Sequence, residues 1–271
     1  MSSIEPLKIS ESVVIKIPGI SKSKRFLHIS DAHIVNVNSE SSEEEKIAAS
    51  ESIIRWNDNG TPASDVFCEF IKFAKEQKAD AVLMAGDMID YYTEDNVSKL
   101  KELLRSFPSE YLYVWGNHEH GSYGLEIPEF DIIRSNIAPM MRNEPEFYLR
   151  DFEDFVIVCI DNSNFHITEN QLEKMKAVIN ENKPIILLMH VPIWTEEFEK
   201  TAWSMLDRDE KTTENAKLFS KLIRSEESKV VSIIAGHEHF EWSGEFAPGR
   251  MQYVSAPLFK RFIREINVMP L

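Results

Sequence analysis

The chain has 271 residues, which is enough for one large domain or two small ones. Its formal net charge of -15 argues against general binding to nucleic acids or to anionic membranes, because those surfaces are also negative. Hydrophobic residues make up 43% and charged residues 28%, a composition that excludes collagen-like, coiled-coil and disordered classes. A small phosphate substrate stays open, since bound cations can reverse the local field.

The sequence also indicates where the protein resides. No apolar run approaches the ~20 residues that a membrane span needs. Residues 1–10 are acidic and polar where a signal peptide would carry a basic and then an apolar block. Cys68 and Cys159 are too few for a disulfide framework. We therefore expect a cytoplasmic protein without membrane contact; its oligomeric state stays open.

Short apolar runs of strand length alternate with amphipathic stretches along the chain. These runs are Phe26–Ile29, Ala81–Ala85, Tyr111–Trp115, Phe155–Ile160, Ile185–Met189 and Val230–Ala235. Such alternation predicts an α/β fold with a largely parallel core sheet. Further strands, some of them antiparallel, are expected after about residues 146 and 249.

Between the runs, apolar residues recur at helical spacing in four places. Ser64 is expected to cap the first helix, and Thr168 with Gln171 forms a capping box at the start of the third. The second and fourth helices contain Leu100 and Leu222. The pattern therefore predicts four helices beside the sheet.

Two long connections interrupt this alternation, Ile34–Asn59 and Pro192–Thr213. Connections of this length are usually lids or mobile segments. Neither has the composition of a domain linker, so we expect one domain over residues 1–271. Their tryptophans, Trp56, Trp194 and Trp203, could stack on a base or a sugar, although packing of the loops against the domain is the favoured interpretation.

Polar residues of metal-binding type follow five of the predicted strands. They are Asp31 and His33, Asp87 and Asp90, Asn117 and His118, His190, and finally His237 and His239. Open α/β sheets gather their sites at the carboxyl ends of strands, so these side chains are expected to meet in one crevice. Mixed imidazole and carboxylate ligands suit Zn, Fe, Mn or similar ions.

The five segments, in this order, resemble the calcineurin-like metallophosphoesterase family. Its blocks D-x-H, G-D-x-x-D, G-N-H-[DE], H and G-H-x-H are all present, from Asp31 to His239. The resemblance implies a four-layer α/β/β/α sandwich with mixed sheets and the metal site at the carboxyl ends of the strands. It also implies a metal-dependent phosphoric ester hydrolase with two divalent or mixed-valence ions, most plausibly Mn, Fe or Zn.

The resemblance implies a role for each of these residues. One ion would be held by Asp31, His33, Asp87 and His239. The second would be held by Asp87, Asn117, His190 and His237, so that Asp87 bridges the two.

The resemblance further implies that His118 is the catalytic histidine, with Asp90 as the carboxylate that orients it. A hydroxide bridging the two ions would attack the phosphorus. His118 would then assist the departure of the leaving group. Glu119 and Glu238, which follow the histidines of two motifs, are expected to be solvated or to support the ligands without binding metal.

Two positions of this chain differ from the pattern of one subgroup of the family, and these differences bear on the substrate. Protein serine/threonine phosphatases carry an arginine directly after G-D-x-x-D and another shortly after G-N-H-E, whereas this chain has Tyr91 and residues 120–122 there. A small phosphomonoester or phosphodiester, of nucleotide or cyclic nucleotide type, is therefore the expected substrate. The alternatives are a phosphoprotein phosphatase and a non-catalytic metal-binding scaffold of the same fold. An amidohydrolase is disfavoured because eight similar βα units would be expected.

Overall fold

The structure is a computed structural model that describes residues 6–107, 110–202, 204–208 and 212–271. In chain order the strands are β1 (Glu11–Ile17), β2 (Lys24–Ile29), β3 (Asn57–Asp58), β4 (Thr61–Pro62), β5 (Ala81–Met84), β6 (Tyr111–Tyr113), β7 (Phe147–Asp151), β8 (Val156–Ile160), β9 (Ile185–Leu188), β10 (Val230–Ala235), β11 (Trp242–Ala247), β12 (Arg250–Val254) and β13 (Arg264–Pro270). The α-helices are α1 (Glu43–Arg55), α2 (Ala63–Gln77), α3 (Glu94–Arg105), α4 (Phe130–Ile137), α5 (Glu169–Asn180) and α6 (Glu214–Arg224).

Two large mixed sheets form the centre of the fold. The first has the strand order β1-β13-β2-β5-β6, and the second has the order β11-β12-β10-β9-β8-β7. In the second sheet the four inner strands are parallel, while β11 and β7 pair antiparallel at its edges. In the first sheet β2, β5 and β6 are parallel, and β13 is antiparallel to β2. Every apolar run that the sequence singled out as a strand is confirmed.

The two sheets pack face to face. Along β8, Ile157 and Cys159 join the apolar cluster of the first sheet, whereas Val156 and Val158 join a second cluster with helices α5 and α6. Successive side chains of a strand point to opposite faces, so this alternation shows one face on the other sheet and one on helices. Helices α2 and α3 cover the outer face of the first sheet. The expected α/β/β/α order of layers is confirmed.

Of the two predicted helix N-caps, one is confirmed and one was wrong. Thr168 accepts a hydrogen bond from the Gln171 N–H at 3.1 Å, and the Gln171 side chain accepts one from the Thr168 N–H at 2.7 Å, which confirms the capping box. The prediction of an N-cap at Ser64 was wrong. Pro62 occupies the N-cap position of α2, because the strand β4 leads directly into the helix and leaves Ser64 in its first turn.

The two long connections differ in structure. Residues 34–59 contain helix α1, which starts with a capping box of Ser42 and Glu45, so this connection is partly helical. The described residues between 192 and 213 are irregular apart from a short 3₁₀ turn at Phe198–Lys200, and Trp203 lies outside the described residues. Within the described part of the chain, none of the helices combines the length and the apolar character that a membrane-spanning helix requires.

Candidate metal centre

The residues that the sequence analysis singled out meet at one edge of the fold. They follow the carboxyl ends of β2, β5 and β6 in the first sheet and of β9 and β10 in the second. Parallel strands direct their carboxyl ends to the same edge, and the face-to-face packing brings the edges of both sheets together. All the proposed metal ligands, together with His118 and Asp90, therefore lie in a single cleft between the sheets.

The backbone of this cleft is strained at most of the predicted ligands. Positive φ values between 48° and 76° occur at Asp31, His33, Asp87, His237 and His239. This left-handed region costs free energy for residues with a Cβ, and such residues cluster at functional sites. Main-chain hydrogen bonds hold part of the turn in place: the N–H groups of Asp31 and His33 donate to the carbonyls of Gly86 and Asp87, both at 3.0 Å.

Two glycines leave room for the ligands. Gly86 has a φ of +87°, and a Cβ there would lie 2.5 Å from Nδ1 of His190. At Gly116 a Cβ would overlap the carboxylate of Asp87. These positions require glycine because the side chains of His190 and Asp87 approach them closely, and at Gly86 also because of its backbone angle.

Four side chains form the first cluster: Asp31, His33, Asp87 and His239. Their candidate ligand atoms all lie within 4.8 Å of one another. The Nε2 atoms of His33 and His239 face each other at 3.0 Å, and Nε2 of His239 lies 3.3 Å from Oδ1 of Asp31. That Oδ1 atom is buried and has no hydrogen-bond partner among the described residues, as expected for an oxygen that binds a cation.

Three side chains form the second cluster, Asp87, His190 and His237, and Asn117 adjoins it. Nδ1 of His190 donates to the carbonyl of Ala85 at 2.7 Å, which leaves Nε2 as the ring nitrogen that faces the cleft. That atom lies 3.3 Å from Oδ2 of Asp87, 3.1 Å from Oδ1 of Asn117 and 3.1 Å from Nδ1 of His237. Several electron-pair donors converge here, which is the environment that a cation fills.

The electrostatics of the cleft favour positive charge. Burial opposes ionisation of Asp87, but the neighbouring His190 and His118 hold its pKa well below the usual value. Burial likewise opposes charge on His190, but Asp87 and Asp31 raise its pKa to about 9. Burial and then the charge of His190 lower the pKa of His237 to about 3, so this imidazole stays neutral. Asp87 is therefore ionised and can bind a cation.

His118 lies beside both clusters, and one nitrogen of its ring contacts Asp90. Its Nδ1 is 2.5 Å from the carbonyl oxygen of Asp90 and 3.0 Å from the Asp90 carboxylate. Its Nε2 is 4.0 Å from Oδ2 of Asp87. Burial opposes the charge of the ring, but Asp87 and Asp90 outweigh it and raise the pKa of His118 to about 10. Asp90 also accepts from Nδ1 of His33 at 3.0 Å, so it orients two imidazoles.

The two glutamates that follow motif histidines, Glu119 and Glu238, are buried, so of the two expected roles the structure favours support of the loops over exposure to solvent. Glu119 accepts hydrogen bonds from the N–H groups of Asp87 at 3.0 Å and Gly116 at 2.7 Å, and from the Tyr113 hydroxyl at 2.6 Å. Glu238 accepts a hydrogen bond from the N–H of Ser204 at 2.8 Å. This bond connects the segment that contains Ser204 to the motif of His237 and His239. Both carboxylates shape the loops that carry the ligands.

Sequence reasoning missed a supporting residue, Asn162, in the loop after β8. Its Oδ1 accepts from the N–H groups of His190 and Val191 at 3.1 and 3.0 Å, and its Nδ2 donates to the Val191 carbonyl. The amide thus fixes the turn that presents His190. A single asparagine after a strand carries no signal that would have indicated this role.

A cavity of about 480 Å³ opens over the two clusters. Its lining includes Asn117 and His118 and, away from the candidate ligands, Trp56, Ser163, Asn164, Phe165 and Ser204. Phe165 has a φ of +59° and its ring lies 5.5 Å from that of His237. The mouth is therefore partly aromatic and partly made of short polar side chains, and it can admit a small molecule.

Comparisons with known proteins agree with this geometry. The family model described as calcineurin-like phosphoesterase matches residues 24–241. No curated protein matches the chain by sequence. The fold is similar to that of a dimetal phosphatase from Danio rerio, with a TM-score of 0.60, 14% identity and 88% of each chain covered.

A second solved structure has the same fold on a longer chain. A purple acid phosphatase from yellow lupin (Lupinus luteus) seeds is similar with a TM-score of 0.54 and 14% identity. The match covers 88% of this chain but 44% of the lupin protein, so the chain spans less than half of that enzyme. At such low identities both likenesses show the fold alone.

Proposed function

The chain belongs to the calcineurin-like phosphoesterase family and is a metal-dependent phosphoric ester hydrolase, and from this premise we propose that it hydrolyses a small phosphomonoester or phosphodiester of nucleotide or cyclic nucleotide type. One observation carries the proposal: imidazole nitrogens and carboxylate oxygens converge in two neighbouring clusters that share Asp87. The common apolar core of the two sheets supports a single domain over residues 1–271. We also propose a cytoplasmic location.

We assign the two clusters as a binuclear centre. Asp31, His33, Asp87 and His239 hold one ion, and Asn117, His190 and His237 hold the second together with Asp87. The unpartnered Oδ1 of Asp31 and the facing imidazole nitrogens fit this assignment. Two divalent ions held here, with Mn, Fe or Zn the best suited, would supply Lewis-acid polarisation of the phosphoryl oxygens and lower the pKa of water.

His118 is the proposed proton donor to the leaving oxygen. Its Nδ1 is engaged by Asp90, so the proton available for transfer is the one on Nε2, which faces the cavity beside Asp87. Asp90 keeps the ring oriented and, with Asp87, favours its protonated form. The proton passes from Nε2 to the departing oxygen as the phosphorus–oxygen bond breaks, a contribution typically worth ~10²–10⁴ in rate.

The lining of the cavity supports a small ester over a phosphoprotein. Among the described residues that line it, none is a lysine or an arginine. Tyr91, which stands where the protein phosphatases carry an arginine, is buried and stacks on Tyr123 with ring centroids 5.3 Å apart. The site therefore offers little beyond the metal centre and His118 to hold the phosphate of an extended peptide.

The test is hydrolysis by the Mn²⁺-loaded protein. We expect turnover of para-nitrophenyl phosphate, of its bis ester or of a nucleotide, and loss of turnover after chelation. The matched control is Asp31→Asn, which removes a ligand charge and keeps the side-chain shape. Metal-dependent turnover of phosphopeptides alone would favour the phosphoprotein phosphatase, and no turnover on any ester would favour the scaffold.

A further inference from the structure

Residues 34–59, whose role the fold alone leaves unassigned, place one aromatic ring against the metal centre. Trp56 follows the last residue of α1, and its indole lies on the imidazole of His33 with ring centroids 4.4 Å apart and 17° between the planes. A hydrogen bond from Nδ1 to Asp90 fixes one point of the His33 ring but leaves the ring free to tilt about that point. A stacked ring on the face of the imidazole restricts this tilt.

The same indole meets two more imidazoles of the centre at its edges. Its ring centroid lies 5.0 Å from that of His239 and 6.4 Å from that of His118, with interplanar angles of 77° and 82°. Phe259 completes the group, 5.2 Å from Trp56 and 5.8 Å from His239. Edge-to-face contacts at these distances are favourable and define the angles between rings.

The indole is held in place by the hairpin of strands β3 and β4, which directly follows it. The carbonyl oxygen of Asn57 accepts a hydrogen bond from Lys260 Nζ at 2.6 Å, and Asp58 pairs with Arg261 Nε at 2.6 Å. Arg261 also pairs with Glu69 of α2 at 2.7 Å, so the hairpin is attached to two separate parts of the fold. The Asp58–Arg261 pair is mostly buried, which makes it stiffer and less screened than a surface pair.

A second contact holds the C-terminal end of α1 through its last residue, Arg55. The guanidinium of Arg55 lies 5.0 Å from the ring centroid of Tyr123, which in turn stacks on Tyr91. Tyr91 directly follows Asp90, the carboxylate that orients His33 and His118. Segment 34–59 is therefore attached on both sides of the site.

We propose that Trp56 is a positioning residue of the metal centre, which holds the imidazoles of His33, His239 and His118 at fixed angles. This proposal rests on the proposed function, because it takes His33 and His239 as metal ligands. It assigns to residues 34–59 the task of delivering this indole. Groups that orient metal ligands typically change metal affinity or activity by about 10–100-fold when they are removed.

The test compares Trp56→Ala with Trp56→Phe and reads metal binding directly. Equilibrium dialysis with Mn²⁺ should show weaker binding of at least one ion in Trp56→Ala, by about 10–100-fold. Trp56→Phe, which keeps a flat ring, should recover most of the affinity. In kinetics Trp56→Ala should lower kcat more than it raises KM. Ile54→Ala, at an exposed position of α1, is the matched control and should change nothing.

An optical signal tests the same contact without turnover. Co²⁺ quenches indole emission at short range, so its binding should quench part of the tryptophan fluorescence of the wild-type protein. The quenching by Co²⁺ that involves Trp56 should be lost in Trp56→Phe. It should be retained in Trp194→Phe. Asp58→Asn loosens the hairpin without altering the indole, and should weaken metal binding in the same direction but less.

The outcomes separate the two proposals. If the wild type binds two ions and Trp56→Ala binds them equally tightly, the positioning role is wrong while the proposed function stands. If the wild type binds no metal, both are wrong. Weaker binding in Trp56→Ala, with an unchanged circular dichroism spectrum and recovery in Trp56→Phe, supports the positioning role.

Discussion

His118 and Asp87 are joined through both the main chain and the side chain. The N–H of His118 donates to Oδ1 of Asp87 at 2.9 Å, and the Nε2 atom of its ring lies 4.0 Å from the other carboxylate oxygen. That second oxygen is also 3.3 Å from Nε2 of His190. One carboxylate therefore fixes the distance between the proposed proton donor and the proposed metal ligands.

Substitution of His118, the proposed proton donor, should lower the rate without changing the metal content. We expect His118→Gln to lower kcat by ~10²–10⁴, because the variant lacks the proposed proton donor to the leaving oxygen. The loss should be largest for alkyl phosphates, which are poor leaving groups, and smallest for para-nitrophenyl esters. Metal content by elemental analysis should stay at the wild-type level.

The exposed His166 provides the control for this substitution. His166→Gln should leave both rate and metal content unchanged. An alkyl phosphate that is hydrolysed equally fast by His118→Gln and by the wild type would remove His118 from the mechanism.

The metal-free protein should lose stability as the pH rises above neutrality, in part through His118. Burial opposes its charge, but Asp87 and Asp90 raise its pKa from 6.5 to about 10 in the folded chain. The folded state therefore binds this proton more tightly than the unfolded state does. The resulting stabilisation is complete below about pH 6.5 and disappears as the pH approaches about 10.

Chemical denaturation in the presence of a chelator measures this contribution. The free energy of unfolding of the wild type should exceed that of His118→Gln by the largest amount near pH 6, and the difference should shrink steadily towards about pH 10. A difference that stays constant, or grows, with pH would show that His118 does not carry the raised pKa.

Asn162 should matter to both stability and metal binding. Asn162→Ala leaves the buried N–H groups of His190 and Val191 without their side-chain acceptor. An unpaired buried polar group costs about 1–3 kcal/mol, so the free energy of unfolding should fall by at least that amount. The freed turn should also weaken metal binding at the His190 side of the centre.

Denaturation and dialysis with Mn²⁺ check the two effects of Asn162→Ala together. Asn164→Ala is the matched control, because Asn164 is an exposed residue of the same loop. Equal stability of both variants would mean that water replaces the amide of Asn162 without cost.

Much of the site could be predicted from the sequence because its signals are local. Asp87 and Asn117 each follow a glycine at the end of an apolar strand, and the structure shows why glycine is required there. Motifs at the ends of parallel strands converge by the geometry of the sheet, so their meeting needs no knowledge of the loops. The strands themselves were clear because buried strands have continuous apolar runs.

The remainder depends on contacts between distant segments. Helix α1 buries only Ala48, Ala49 and Ser52 and leaves Ile47 and Ile54 exposed, so its apolar periodicity is weak. The stacking of aromatic rings beside the ligands arises only when segment 34–59 folds back over the cleft. The spacing of the apolar runs does not reveal that two sheets pack against each other. That arrangement was predicted only from the resemblance to the family.

The number of bound ions tests the shared role of Asp87 most directly. Anomalous diffraction and elemental analysis of Mn²⁺-loaded protein should show two ions about 3.5–4 Å apart. Asp87→Asn should lose occupancy at both positions, whereas Asp31→Asn should lose it mainly at one. Two fully occupied ions in Asp87→Asn, or no ion pair in the wild type, would contradict the binuclear centre.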